Sequence, residues 1–343
     1  MEQTGSSGGW RGLNAGAYEL NAPRRFNVNN GRESMVSKMH GTMTRRRFLK
    51  TAATGVGLSL VGTPLFSQPK EDYDLVVTSG DPAAATRRAL EALGGLSRFV
   101  KKGQRVVLKP NMSFARPPES GCNTHPLVVA TVAQACMDAG AERVLVLDHT
   151  LQRAELCLER SGIPEACKSI KGVHVLALQE KKFFREIPIP QGKVLERVEV
   201  MKEVLDAHVL INLPTAKSHS ATGVSLGMKG LMGLIWDRES FHSHYNMNQA
   251  LADLATVIKP QLTILDATRA LTSGGPGGPG EVKKPNLIIA GIDPIAVDSY
   301  GVTVAPWYGQ SFKGRQVEHL FVANQRGLGK IDIDQLRILK EKA

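Results

Sequence analysis

Short runs of β-branched and aliphatic residues alternate with amphipathic stretches of helical period from Asp74 onward. This alternation is typical of a mainly parallel β-sheet with helices on both faces, which is an α/β fold. We expect residues 70–343 to form a single α/β domain, either undivided or split into two lobes. The predicted strands are 75–78, 105–109, 143–147, 173–177, 208–213, 262–266 and 287–291.

Proline at the start and glycine or proline at the end mark the helix boundaries. The first predicted helix, for example, stops at Gly94-Gly95. Between residues 183 and 200, two alternating stretches flank Gln191-Gly192, which predicts a β-hairpin inserted into the α/β core. The predicted helices are 82–93, 126–139 and 247–258.

A basic heptapeptide and a short apolar stretch precede this domain. Residues 44–50 read TRRRFLK, and residues 51–66 are apolar and rich in glycine. A membrane span needs roughly twenty apolar residues, so the stretch is typical of a signal peptide. The layout resembles a twin-arginine signal at 43–68, which would hand the folded chain to the twin-arginine translocase. We expect a periplasmic or other extracytoplasmic location, with the signal either cleaved near Ser67 or retained as a membrane tether.

Residues 1–42 are rich in Gly, Asn, Ser and Arg and show no apolar periodicity. Such a composition predicts disorder. Met43 directly precedes the signal, and Met35 and Met39 lie close to it. The stretch is therefore either a disordered N-terminus or an extension upstream of the true start.

The net charge of +11 is unevenly distributed. Residues 1–67 hold nine Lys and Arg against three Asp and Glu, so six of the eleven positive charges lie there. The rest of the chain has no basic run and few aromatic residues, which argues against nucleic-acid binding. Its four cysteines are too irregularly spaced for a disulfide scaffold or a CxxC metal site. We expect buried thiols, with a disulfide between Cys157 and Cys167 as the alternative.

Polar residues follow directly after several predicted strands. In open α/β sheets the carboxyl ends of the strands form the ligand crevice, so these side chains are expected to converge. We predict that Lys109, Asn111 and Lys217 bind a small anionic molecule there, and that Asp266 belongs to the same binding site. The residues at strand ends are Lys109-Pro110-Asn111, Asp148-His149, Lys217-Ser218-His219, Asp266 and Asp293.

The segment 208–245 contains the densest set of ionisable residues. Lys229 stands in an apolar, glycine-rich run. It either reaches the surface along its aliphatic stem or lies in a cleft that faces an anion. Burial would lower its pKa and permit base or covalent chemistry. Lys229 and His219 are therefore candidate catalytic residues, with His219 as acid or base.

Histidines in the same segment suggest a metal site. His242 and His244 are two residues apart, which places them on one side of a strand or loop. Together with His219 they form a candidate three-imidazole site, and imidazole suits zinc, nickel, copper or iron. The alternative is that they are hydrogen-bonded loop histidines.

Two later segments also belong near the predicted crevice. Residues 274–280 are rich in Gly and Pro and form either a mobile flap or a plain flexible loop. Asp293 precedes a proline and is placed to cap a helix, and Asp298 lies about one turn further on. Asp298 is a third candidate catalytic residue, which would balance the lysines or hold a metal.

The order of these motifs resembles the domain-of-unknown-function family numbered 362. Family members often carry KTH and an LKN or MKN core, where this chain has Ser218 and Gly230. Some relatives append ferredoxin-like cysteine clusters, which this sequence lacks, so no iron–sulfur cluster is expected. The resemblance covers roughly residues 76–329 and rests on KPN at 109–111, Asn-Thr-x-Pro at 123–126, KSH at 217–219, the lysine of GMKGLMG, ILDAT at 264–268 and DPIAVDS at 293–299.

One spacing is similar to that of the lactate racemase family, whose nickel pincer cofactor is tethered to a lysine. That family presents a histidine, then a lysine ten residues on, then another histidine. Here Lys229 follows His219 by ten residues, and His242 and His244 come later. The similarity implies a transition metal or a metal-containing organic cofactor, lysines that hold a carboxylate, and histidines that act as base and metal ligand.

Together these features predict an exported, cofactor-dependent enzyme of isomerase or oxidoreductase type that acts on a small anionic metabolite. The alternative is a non-catalytic periplasmic protein that binds a metal or an anion in the same crevice. A structural or partner-docking role would leave the polar residues at the strand ends unexplained. The pattern carries no prediction of oligomeric state.

Overall fold

The computed structural model describes residues 73–343 of the chain. The predicted extension at 1–42 and the predicted twin-arginine signal at 43–68 lie outside the described residues. Among residues 73–343, no helix combines the length and the apolar character needed to cross a membrane.

Strands and helices alternate along the described residues. The strands are β1 Leu75–Ser79, β2 Arg105–Pro110, β3 Arg143–Asp148, β4 Val173–Ala177, β5 Phe184–Pro188, β6 Arg197–Met201, β7 Val209–Leu213, β8 Thr215–His219, β9 Gly223–Ser225, β10 Leu262–Leu271, β11 Val282–Lys283, β12 Leu287–Gly291 and β13 Ile338–Lys342. The α-helices are α1 Pro82–Ala92, α2 Pro126–Asp138, α3 Ala154–Ser161, α4 Ile163–Cys167, α5 Lys202–Leu205, α6 Gly227–Gly230, α7 Glu239–Ser243, α8 Met247–Val257, α9 Pro294–Val302 and α10 Glu318–Gln325.

The central sheet has the strand order β13-β1-β12-β10-β7-β2-β3-β4. Neighbouring strands are parallel except in the β1–β12 and β10–β12 pairs. β8 and β11 pair with β10, and β9 pairs with β8. The predicted α/β fold with a mainly parallel sheet is confirmed, and each predicted strand is present.

Helices cover both faces of this sheet because alternate residues of a strand point to opposite sides. On β1, Leu75 and Val77 belong to one hydrophobic core, together with buried residues of α8, α9 and α10. Val76, between them, belongs to a second core that includes buried residues of α1 and α2. The strand ends between the two cores are left for polar side chains.

β5 and β6 form a separate antiparallel pair, which confirms the predicted hairpin insertion. The loop between them is held by the fully buried carboxylate of Asp253 on α8. That carboxylate accepts hydrogen bonds from the backbone N–H groups of Lys193, Val194 and Leu195 at 2.8–2.9 Å. Arg326 Nη1 lies 2.6 Å from the same group. The protein itself therefore supplies both the counter-charge and the hydrogen-bond donors for Asp253.

The structure extends the predicted strands near the polar strand ends. β10 continues past residue 266 to Leu271, and the unpredicted β8 pairs with it in parallel. β8 was not predicted because Lys217, Ser218 and His219 are polar and do not form an apolar run. All five residues of the strand are nevertheless buried. The cysteines are as expected, since all four are buried free thiols and Cys157 is not bridged to Cys167.

Candidate functional site

A cavity of about 740 Å³ opens where β2 and β8 end. It contains six of the residues that the sequence singles out, namely Lys109, Asn111, Lys217, His219, Lys229 and His242. The remaining lining residues are Ser113, Phe114, Leu151, Lys181, Glu199, Ser220, Ser225, Gly230, Met232, Gly233, Trp236, Asp237, Arg238, Glu239 and Pro276.

Lys109, at the end of β2, forms a buried ion pair. Its Nζ lies 3.2 Å from Asp148 Oδ1, and the two side chains are 2% and 0% exposed. Asp148 Oδ2 accepts hydrogen bonds from the Met112 backbone N–H at 2.9 Å and from Ser113 Oγ at 2.8 Å. Burial lowers the pKa of Lys109, and the attraction of Asp148 opposes that shift. Lys109 thus has a full counter-charge within the protein.

The Lys109–Asp148 pair needs glycine at position 233. A Cβ atom placed on Gly233 would lie 2.8 Å from Lys109 Nζ and would overlap the Asp148 carboxylate. The backbone of the short 3₁₀ helix Leu231–Leu234 therefore approaches the ion pair as closely as a chain can. This close contact explains one of the glycines in the GMKGLMG segment.

Lys217, in the middle of β8, is 1% exposed, and its hydrogen-bond partners among the described residues are neutral. Its Nζ donates hydrogen bonds to Asn111 Oδ1 at 2.9 Å and to the Cys122 carbonyl at 2.7 Å. The same nitrogen lies 4.5 Å from the centroid of the Phe114 ring. Burial lowers the pKa of Lys217 to about 7. Its amine is therefore divided between charged and neutral forms near neutral pH.

Lys229 lies on α6, whose first turn is fixed by a distant carboxylate. Asp298 of α9 accepts the backbone N–H groups of Gly227 at 2.7 Å and Met228 at 2.8 Å. The hydrogen-bond partner of Lys229 Nζ among the described residues is Met232 Sδ, at 3.1 Å. Burial lowers the pKa of Lys229 to about 8, and the charge of Arg238 adds to the shift.

Asp298 itself does not line the cavity. It is fully buried, and burial raises its pKa to about 7 against the opposing effect of its two backbone hydrogen bonds. The structure therefore places this candidate catalytic residue behind Lys229, where it positions the backbone of α6.

The three candidate metal-binding histidines are not brought together. The rings of His219 and His242 are stacked, with centroids 6.1 Å apart. His242 lies in α7 and His244 just after it, and residues two apart on a helix point in different directions. His244 is exposed, does not line the cavity, and contacts Ser243 Oγ at 2.8 Å. Within residues 73–343, no three side chains of His, Cys, Asp or Glu are placed to hold a metal ion.

His219 has a defined tautomer. Its Nδ1 accepts a hydrogen bond from the Ala221 backbone N–H at 3.1 Å, so the proton of the neutral ring lies on Nε2. Burial, together with the charges of Lys229 and its neighbours, lowers the pKa of His219 to about 3. The imidazole is therefore neutral at physiological pH and can donate from Nε2.

Asp266 is also turned away from the cavity. Its buried carboxylate lies 2.7 Å from Arg269 Nη2 and accepts hydrogen bonds from the backbone N–H of His125 and from Thr268. The nearby loop 274–280 reaches the cavity through Pro276, and the Gly275 N–H donates to Ser218 Oγ at 3.0 Å. This loop is packed against β8.

Two cavity residues, Trp236 and Arg238, were missed from the sequence. Arg238 donates hydrogen bonds to the carbonyls of His149 at 2.6 Å and Thr150 at 3.2 Å. The Trp236 ring stacks on His149, with centroids 5.4 Å apart and an interplanar angle of 5°. Both residues directly follow the apolar GMKGLMGLI run. A tryptophan and two charged residues immediately after a glycine-rich apolar segment are the sequence signal that could have indicated them.

Comparisons with known proteins connect this cavity to a family. A thylakoid-associated protein of Synechocystis sp. is 31% identical over 229 residues, which are 64% of this chain and 68% of the relative. The lactate racemase apoprotein of Thermoanaerobacterium thermosaccharolyticum matches with a TM-score of 0.39 and 16% identity. That match covers 58% of this chain, which spans about half (52%) of the racemase chain. The family model for the domain of unknown function DUF362 matches residues 106–303, and this range includes every lysine and histidine that lines the cavity. The chain belongs to the DUF362 family.

Proposed function

We propose that this protein is an enzyme that binds a small anionic metabolite in the cavity and moves a proton on it, as an isomerase does. The observation that carries the proposal is the charge balance of the cavity. Lys109 forms an ion pair with the buried carboxylate of Asp148. The other three cations, Lys217, Lys229 and Arg238, have neutral hydrogen-bond partners among the described residues.

Buried cations without counter-charges are costly, because each loses several kcal/mol of hydration that an internal partner would otherwise offset. A bound carboxylate or phosphate supplies the missing charge and restores two or more charge-assisted hydrogen bonds. The cavity volume of about 740 Å³ falls in the range of small-molecule sites. Exposed carboxylates of Asp237 and Glu239 also line it, and they disfavour a long polyanion such as nucleic acid.

Proton transfer next to a carboxylate fits the two central side chains. The neutral amine of Lys217 donates both hydrogens to Asn111 and to the Cys122 carbonyl, so its lone pair is free to accept a proton from carbon. His219 donates from Nε2 to the ligand oxygen on which negative charge develops. In this proposal His219 acts as a neutral hydrogen-bond donor rather than as an imidazolium acid.

Fluorescence of Trp236 provides a direct test of anion binding. Titration with lactate, glycerate, small sugar acids and inorganic phosphate should give saturable changes that a W236F variant lacks. R238M should weaken binding by more than about tenfold, since a charge-assisted hydrogen bond is lost. K259M, which removes a positive charge from an exposed position, is the control and should bind like the wild type. Failure of every anion to bind saturably, or equal binding by R238M, contradicts the proposal.

Catalysis is separated from binding by isotope exchange. Organic acids that bind should exchange a carbon-bound hydrogen for deuterium in D₂O when the enzyme is present, at Cα of a hydroxy acid or at C3 of a 2-oxo acid, as measured by NMR. Tight binding without exchange would favour the alternative function, a binding protein that holds an anion without turnover.

We also propose that the chain is exported through the twin-arginine route, which the TRRRFLK sequence at 44–50 supports. Replacement of Arg45 and Arg46 by lysine keeps the charge and removes the guanidinium pair. The R45K/R46K chain should accumulate in the cytoplasm of a host with a working translocase, whereas a K259M chain should be exported. Equal export of both chains contradicts this route.

A further inference from the structure

The three lysines of the cavity lie in three different electrostatic environments. Lys109 Nζ faces the carboxylate of Asp148. Lys217 Nζ donates to two neutral oxygens. Lys229 Nζ has the thioether sulfur of Met232 as its hydrogen-bond partner among the described residues, and such a sulfur is a weak acceptor. Lys229 is therefore the amine least engaged by the protein.

The surroundings of Lys229 favour its uncharged form. It is 7% exposed, and within residues 73–343 the charged group that shifts its pKa is Arg238 rather than a carboxylate. The titratable groups whose charges interact with it are all bases from other elements, namely Lys217 and His219 of β8, Arg238, His242 of α7 and His319 of α10. A neutral lysine amine that opens onto a cavity is a nucleophile.

We infer that Lys229 forms a covalent imine with the carbonyl carbon of the ligand, which makes small 2-oxo acids and aldehyde acids the substrate class. This inference rests on the proposed anion-binding function of the cavity. The carboxylate of such a ligand pairs with Arg238, and its carbonyl oxygen accepts the Nε2–H of His219.

The reaction balances without an oxidant or reductant. The Nζ lone pair attacks the carbonyl carbon, and the carbon–oxygen π electrons move to oxygen, which gives a carbinolamine after proton transfer from nitrogen. The second hydrogen of the amine then leaves with that oxygen as water, and the carbon–nitrogen double bond forms. In pyruvate and longer 2-oxo acids, the protonated imine withdraws electrons from C3 and so assists the transfer of a C3 proton to the neutral amine of Lys217.

Reductive trapping tests the inference on the full chain. The protein is incubated with glyoxylate or pyruvate and sodium cyanoborohydride, and the modified lysines are identified by peptide mass mapping. The adduct at Lys229 should exceed that at the exposed Lys259 by more than about tenfold at pH 7, because a lowered pKa leaves more neutral amine. The yield at Lys229 should rise as the pH is raised through about 8. K229M and K229R should lose this adduct, while K259M keeps it.

The controls separate this inference from the proposed function. Saturable quenching of Trp236 by glyoxylate without an adduct at Lys229 overturns the imine and leaves anion binding intact. Neither quenching nor adduct overturns both, because glyoxylate is the smallest acid of its class and is not excluded by size. Adducts spread evenly over exposed lysines also overturn the inference. Circular dichroism confirms that K229M and K229R are folded, and either variant suffices.

Discussion

Two buried charged clusters of this protein differ in where their counter-charges come from. Around Asp253, the chain supplies one cation and three backbone N–H donors for a single carboxylate. Around the cavity, the buried carboxylate of Asp148 faces Lys109, while Lys217 and Lys229 have neutral partners among the described residues. The charges of the first cluster are balanced within the folded chain, and in the proposed function a bound anion balances the charges of the second.

This difference separates structural from functional burial of charge. A cluster that is balanced inside the protein contributes to stability, and removal of one member leaves the others unpaired. Surplus buried positive charge lowers the stability of the free protein, and the binding of an anion relieves that destabilisation. Removal of a lysine with neutral partners from the second cluster should therefore change the free energy of unfolding in the opposite direction to removal of Asp253.

The largest effect is expected at the Asp253 cluster. D253A should lower the free energy of unfolding by about 3 to 5 kcal/mol, because Arg326 and three backbone N–H groups lose their acceptor. Denaturant unfolding measures the change. D334A, at an exposed aspartate, is the control and should stay within about 0.5 kcal/mol of the wild type. Equal stability of D253A and wild type would remove the distinction between the two clusters.

A smaller loss is expected at the Lys109–Asp148 pair. The added methyl group of G233A would overlap the Asp148 carboxylate and should cost about 1 to 3 kcal/mol of unfolding free energy. G230A is the matched control, since the nearest atom to its new Cβ is Pro214 Cβ at 3.9 Å. If both variants unfold at the same denaturant concentration, the close contact between residue 233 and the Lys109–Asp148 pair does not limit stability.

Replacement of Lys217 should raise the free energy of unfolding instead of lowering it. K217M removes a buried cation but also two hydrogen bonds, so the net gain in unfolding free energy at pH 7 should be only about 1 kcal/mol. Chemical unfolding of wild type and K217M without added anion measures it. A loss of more than about 1 kcal/mol would place Lys217 with the structural cluster.

The last expected effect is a dependence of stability on pH, which is measured as a slope. The folded-state pKa values of Lys217 and Lys229 are about 7 and about 8, below the ordinary value of 10.5. Between these values the unfolded chain binds more protons than the folded chain, so the free energy of unfolding should rise as the pH increases from about 7 to about 10. The slope should be shallower in K217M. Parallel pH profiles of the two proteins would show that Lys217 is charged in the folded state throughout this range.

The fold was predictable because its strands follow a simple pattern. Runs such as VVL before Lys109 are apolar throughout, as expected for strands buried on both faces, and helix caps mark the intervening segments. β8 escaped prediction because its polar side chains are satisfied by partners far along the chain, such as Asn111 and the Cys122 carbonyl. Local sequence patterns contain no information about such partners.

The site was predictable to the extent that it lies at strand ends. Lys109, Asn111 and Lys217 were placed correctly in one cavity by that rule. Asp266 also ends a predicted strand, but β10 continues beyond it and the carboxylate turns toward Arg269. His244 was misplaced relative to His242 because a short helix, rather than a strand or loop, carries the pair. Strand-end position thus finds the crevice, whereas the direction of each side chain depends on the exact end of the strand.

The hydrogen bonds from α6 to Asp298 limit how this cavity can be grafted onto another protein or shortened. A design that moves only the segment 208–245 to another scaffold would carry Lys229 without the carboxylate, some seventy residues away, that starts its helix. The smallest transferable unit therefore includes α9 as well as α6, and the two must be inherited together.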